Sequence, residues 1–237
     1  MSPTLRPASK SSTSKTPPHP LVDTLETGGT PVGVAVSEGR LFIADGAGLS
    51  IASLGDPAHP VLLGAVQTPD FAAGVAVHDT YAYVADSISG LQVVDIADPT
   101  APAIVGSLDS PGVAYDLTAF MTASGMRVQL ADGPGGLRII DASNPALPVE
   151  TGHLETPGDA RDIDQAPGQG YIADTLSLIA FTAPDPTSPA MSGLIDPPGY
   201  VRIAGGCWRL RVSGIRPGRL PHRRCEQPVE TGPGRRR

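Results

Sequence analysis

Apolar and polar positions over residues 72–112, AAGVAVHDTYAYVADSISGLQVVDIADPTAPAIVGSLDSPG, alternate or fall into short blocks. GVAV (74–77), YAYVA (81–85), LQVVDI (91–96) and AIVGSL (103–108) are each four to six residues long. They are rich in Val, Ile and Tyr, which suit a pleated, half-buried surface, and are separated by Gly, Asp, Pro and Ser, which supply turns. No window carries the length and 3.6-residue spacing of an amphipathic helix. The pattern predicts four short strands joined by tight turns.

The same pattern recurs along the chain. An Ala-Asp pair stands at Ala44-Asp45, Ala85-Asp86, Ala131-Asp132 and Ala173-Asp174, in steps of 41, 46 and 42. An Asp or Asn precedes Pro at Asp56, Asp98, Asn144 and Asp185, in steps of 42, 46 and 41. A turn signal recurs at Pro69-Asp70, Pro111-Gly112, Pro157-Gly158 and Pro198-Gly199. Three markers with one period define a repeat. The longer step comes from four extra residues between Asp116 and Ala131, which predict a longer hairpin near Thr122 to Gly125. A four-stranded sheet of this size cannot cover both its faces, so copies must stack. Repeated units of this kind predict an all-β fold, a β-propeller of about 42-residue blades, four of them recognisable. Their expected bounds are about 30–70, 71–112, 113–158 and 159–199.

LQVVDIADPTAPAIVG (91–106) and LRIIDASNPALPVETG (137–152) resemble the LVIVD repeat, with its third strand followed by an Asp/Asn-Pro turn. The resemblance covers about residues 30 to 204. It implies a β-propeller from a largely uncharacterised family of bacterial and archaeal surface proteins. The first copy reads LSIASL (49–54) and the fourth LIAFTA (178–183), so both lack the Asp found at Asp95 and Asp141. A shared role for that Asp around the ring is therefore not expected.

The flanks depart from the repeat. Residues 1–19 are Ser, Thr, Pro and Lys without an apolar run, and read as a disordered leader rather than a secretory signal. PLVDTLETG (20–28) matches a fourth strand and predicts a half-blade over 20–29. That strand either closes the last blade or is the stub of a lost one; the abnormal opposite end favours truncation. A fifth copy opens at Tyr200–Gly206 and then loses the pattern. Residues 206–237 carry nine Arg against Glu226 and Glu230, together with Cys207, Cys225 and the single Trp. From Ala204 to Pro228 is 24 residues, against 26 from Ala76 to Pro102, so length survives while chemistry does not. This aberrant Arg-rich tail reads as a frameshifted fifth blade, and its cysteines as accidental. The formal net charge of −7 leaves −14 on the remaining residues. An acidic body disfavours nucleic acid and anionic membrane as partners. No run of 18 apolar residues is present, so no membrane span is expected.

Candidate chemistry is sparse. Asp45, Asp86, Asp132 and Asp174 end their second strands and are expected to accept backbone N–H groups in the following turn. Asp56, Asp98, Asn144 and Asp185 are expected to start turns between third and fourth strands. None of His19, His59, His78, His153 and His222 pairs at ligand spacing, and no GxSxG, HExxH or phosphate-binding Gly loop occurs. The first strands read GVAV, GVAV, YDLT and RDID, so ionisable groups near a propeller axis come only from Asp116, Arg161, Asp162 and Asp164. Asp116, Asp162 and Asp164 are the weak candidates for a metal site; no catalytic residue and no cofactor is expected. The expected role is a non-enzymatic, cell-surface binding or scaffold module for a protein or glycan ligand. The alternatives are a propeller enzyme or metal-binding protein using those inner-strand acids, and a truncated or frameshifted fragment without activity. The resemblance implies an extracellular or surface location. The leader's lack of an apolar run leaves cytoplasmic and N-terminally truncated readings open.

Overall fold

The structure, a computed structural model, describes residues 24–166 and 169–195 and, beyond them, two short strands. Blade one is built from β1 (Gly33–Ser37), β2 (Arg40–Ala44), β3 (Gly48–Ser53) and β4 (Val61–Gln67). Blade two follows as β5 (Gly74–His78), β6 (Tyr81–Ala85), β7 (Leu91–Asp95) and β8 (Ala103–Leu108). Blade three is β9 (Asp116–Thr122), β10 (Gly125–Ala131), β11 (Leu137–Asp141) and β12 (Val149–Leu154). Blade four is β13 (Ala160–Ala166), β14 (Gln169–Asp174), β15 (Leu178–Thr182) and β16 (Ala190–Ile195). Each blade is one antiparallel sheet with its strands in chain order. No helix occurs among the described residues. The expected all-β architecture of four-stranded propeller blades is the one found.

The first strands β1, β5, β9 and β13 lie each against the next, which makes them innermost. Side chains from each blade then interleave with the following one. Phe42, Leu49 and Ile51 pack on Val75, Val84 and Val94. Tyr83, Leu91 and Val93 pack on Leu117, Leu130 and Ile140. Leu137 and Ile139 pack on Ile163, Ile172 and Phe181. Each such side chain contributes roughly 1.5–3 kcal/mol by leaving water. That burial depends on a preceding neighbour: Val75, Leu117 and Ile163 are 8%, 4% and 4% exposed, whereas their counterpart Val34 is 65% exposed.

A second lock runs around the rim. All four blades carry a β-bulge between the third and fourth strands, at Ile51/Ala52, Val93/Val94, Ile139/Ile140 and Ala180/Phe181. Paired with the residue just before each bulge is a glycine: Gly64, Gly106, Gly152 and Gly193. The first three lie against the next blade's Pro-containing turn, at Pro99, Pro145 and Pro186. A Cβ on Gly64 would come 2.6 Å from the Pro99 carbonyl oxygen, so only glycine lets that turn seat. The turns themselves form as expected. Asp56, Asp98, Asn144 and Asp185 each accept the N–H two residues on through a side-chain oxygen, at 2.9–3.2 Å.

The long hairpin of copy three is present. β9 and β10 run seven residues each, against five each for β5 and β6. Thr122 Oγ1 closes its turn by donating to the Gly125 carbonyl at 2.7 Å and accepting the Ser124 N–H at 3.2 Å. The half-blade expected over 20–29 forms no strand where it is described: residues 24–29 join no sheet. The leader and most of the Arg-rich tail lie outside the described residues. Within the fifth copy, β17 (Val201–Arg202) pairs with β18 (Arg211–Val212), so part of the segment expected to lack strand character does pair.

Candidate functional site

The four Ala-Asp carboxylates are buried, at 0–1% exposure. Asp45 accepts the N–H groups of Ala47 and Gly48, both at 3.1 Å, and the Ser50 hydroxyl at 2.9 Å. Asp174 accepts Leu176 N–H at 2.9 Å within its turn and Gly158 N–H at 2.7 Å from further back. Asp86 and Asp132 likewise reach backward, to the N–H groups of Asp70 at 3.1 Å and Gly112 at 2.9 Å. Residues 70, 112 and 158 belong to the straps that lead into blades two, three and four. In blades two, three and four the carboxylate at the end of the second strand therefore ties down the strap entering its own blade. The turn role expected from sequence holds for Asp45 and Asp174, whereas the Asp86 and Asp132 carboxylates take the backward bond instead. Burial raises the pKa of Asp86 and Asp132 above the ordinary carboxylate value. These groups are structural, and each sits in a different blade.

The joint between blades three and four differs from the other two at equivalent positions of the repeat. Gly33 and Gly74 begin β1 and β5, whereas Asp116 begins β9 and Asp162 takes the same place in β13. Ala35 and Ala76 become Thr118; Phe42 and Tyr83 become Gln129; Val77 and Ala119 become Gln165. At the first two joints these positions belong to the apolar packing. At the third they turn polar together.

At the upper end, where first strands begin, Asp116 and Asp162 meet. Asp116 Oδ2 accepts the Ile163 N–H at 3.2 Å, and its other oxygen lies against Gly74, where a Cβ would come 2.8 Å from it. Burial first, and then the neighbouring Asp162 charge and hydrogen bond, push the Asp116 carboxyl up to about 8. The two carboxyls thus hold one proton between them near neutrality. Beside them the Arg161 guanidinium stacks 4.0 Å over the Tyr115 ring and pairs with Asp159 at 2.9 Å. Asp164 is engaged separately, accepting Gln165 N–H at 2.8 Å. No three His, Cys, Asp or Glu side chains gather as a metal site among the described residues. Of the three sequence candidates, the fold brings together Asp116 and Asp162.

At the lower end the joint opens into a cleft of about 430 Å³. The long hairpin supplies Phe120, Thr122 and Ser124 on one side; Gln165, Phe181 and Pro184 of blade four stand on the other. Gln129 is 3% exposed and Arg127 7% exposed on its floor. Gln129 Oε1, Gln165 Oε1 and Arg127 Nε are buried without a hydrogen-bond partner, as is Oγ1 of Thr118, which pairs with Gln129 across the ladder. The rest of the Arg127 guanidinium is spent: Nη1 meets Asp141 at 2.9 Å and the Met126 carbonyl at 3.0 Å. Buried polar atoms without partners cost stability unless a ligand or water satisfies them. Four of the seven such atoms among the described residues gather at this joint. Reading along the chain misses this group. Reading down the repeat finds it, because Gln129 stands where Phe42, Tyr83 and Tyr171 stand in the other copies.

Residues 28–68, 71–110 and 123–156 match the model of the LVIVD repeat. The chain is an LVIVD-repeat protein. The fourth blade of this LVIVD-repeat protein lies beyond those matches, consistent with its divergent LIAFTA strand. No curated protein matches the chain. Among solved structures, it is similar to a protein from Lactobacillus plantarum at 16% identity and a TM-score of 0.60, covering 73% of this chain and 61% of that one. It is also similar to a functionally unknown protein from Desulfotomaculum acetoxidans DSM 771, at 12% identity and 0.62, covering 76% and 61%. The computationally designed Ika4 protein matches at 10% identity and 0.51, covering 70% and 98%. These likenesses establish the fold. The chain spans about three fifths of the length of the two natural structures.

Proposed function

We propose that this LVIVD-repeat protein is a non-enzymatic binding module of the cell surface, and that its ligand is a glycan or a protein held at the joint between blades three and four. The observation that carries the reading is the polar turn of three repeat positions at one joint, at Thr118, Gln129 and Gln165, two of which, Gln129 and Gln165, line its cleft. Polar side chains introduced into an otherwise apolar joint weaken packing and provide hydrogen-bonding groups for a ligand. The family resemblance supports the surface placement. Hydrogen–deuterium exchange tests the reading, with the full chain exposed to neutral and acidic glycans and to peptide libraries. A ligand of the cleft slows exchange across the 116–131 hairpin. Protection confined to other blades, or none with any ligand, sinks the reading.

A second reading is favoured by the Asp116–Asp162 pair, an acid/base or cation site on the innermost strands of blades three and four. It requires calcium or magnesium to protect the fold against heat in a manner that Asp116→Asn abolishes. An unchanged melting curve removes it.

A further inference from the structure

Resting on the binding-module reading, we infer that the cleft between blades three and four takes a neutral saccharide, seated among Gln129, Gln165 and Arg127 against Phe120. Charge is the first argument. Among the described residues of the cleft wall, Arg127 alone is charged, and Asp141 at 2.9 Å already neutralises it. Among those residues, neither an anionic nor a cationic ligand finds an uncompensated partner.

Hydrogen-bonding capacity is the second argument. The two unfilled amide oxygens need donors, and the unfilled Arg127 Nε–H needs an acceptor. A sugar hydroxyl is both donor and acceptor, as a hydroxyl side chain is. One pyranose ring offers several such groups in a small volume. A peptide backbone offers one donor and one acceptor per residue, spread over ~3.5 Å of extended chain. A cleft of about 430 Å³ holds a mono- or disaccharide but only a short piece of strand. Shape is the third argument. Phe120 presents apolar surface beside the polar floor, suited to the C–H face of a ring whose edge carries the hydroxyls. The four-residue extension of copy three builds the wall that carries Phe120, Thr122 and Ser124. The insertion and the Gln129 replacement thus serve the same feature.

The repeat itself supplies the controls. Gln129→Tyr restores the aromatic of blades two and four and fills the cleft; Gln165→Val restores the residue at Val77. The full chain and both variants are applied to a glycan microarray of neutral and acidic oligosaccharides, and hits are titrated by calorimetry, with thermal unfolding measured in parallel. The expected result is retention of neutral glycans by the parent chain. Affinity falls at least tenfold in whichever variant keeps a cooperative melt. Retention of acidic glycans alone, no neutral retention above the variant background, or equal affinity in a folded variant overturns the inference. A peptide that protects the 116–131 hairpin while no neutral glycan binds overturns the saccharide and leaves the binding module standing. Silence from both overturns the two together.

Discussion

Replacing Asp116 with Asn changes how stability depends on pH in a direction that the geometry fixes. The Asp116 carboxyl rises from an unfolded value of 3.8 to about 8 in the fold, through burial and the Asp162 charge. Below pH 4 it is protonated in both states and costs nothing. As pH rises toward 8, the unfolded chain releases the proton while the folded chain retains it. Stability therefore declines across that window, by up to ~1.4 kcal/mol per pH unit for one retained proton. Both carboxyls are half-buried, and solvent screening reduces the whole effect to on the order of 3 kcal/mol by pH 8. Asn keeps an oxygen to accept the Ile163 N–H and gains an N–H₂ to donate to Asp162. The variant should match the parent near pH 4 and exceed it at pH 8. Urea unfolding at half-unit pH steps gives the comparison directly. Parallel curves for parent and variant, or a parent more stable at pH 8 than at pH 5 relative to the variant, would refute the shared-proton description of this pair.

Asp132→Ala removes the group that holds Ser110, Gly112 and Arg138, and leaves that guanidinium with Glu150 alone. A loss on the order of 3 kcal/mol follows, seen as a lower urea midpoint, with Asp132→Asn losing less. Gln129→Tyr should raise the melting temperature, because filling the joint replaces an unsatisfied amide by ring packing worth ~1–2 kcal/mol.

The fold was legible because three markers shared one period. Each marks a different turn, so together they phased the strands. The long hairpin was legible for the same reason: only the step through Thr122–Gly125 was four residues too long. The role of Asp132 was legible in part. Its burial at a turn could be read locally, but its carboxylate takes the Gly112 N–H, 20 residues back, which depends on where the strap crosses the blade. Asp116 and Asp162 could be named as inner-strand acids. That they meet, and that Asp164 is engaged with Gln165 instead, depends on the packing of β9 against β13. Gln129 and Gln165 carry no motif. Their signal lies in contrast with Tyr83 and Val77, and becomes chemical only when the joint is seen to open.

The rim lock has a consequence for how such a chain changes length. Each of the first three bulge glycines receives a turn contributed by the next repeat alone, so each of these locks couples immediate neighbours. Whole copies can then be gained or lost with no other joint disturbed. The cleft does not share that freedom, because one wall is encoded by copy three and the other by copy four. A duplication or deletion that separated 113–158 from 159–199 would preserve the architecture and erase the pocket. Relatives of different blade number are therefore expected to keep the lock throughout, while a site of this kind persists only where that particular pair of copies stays adjacent.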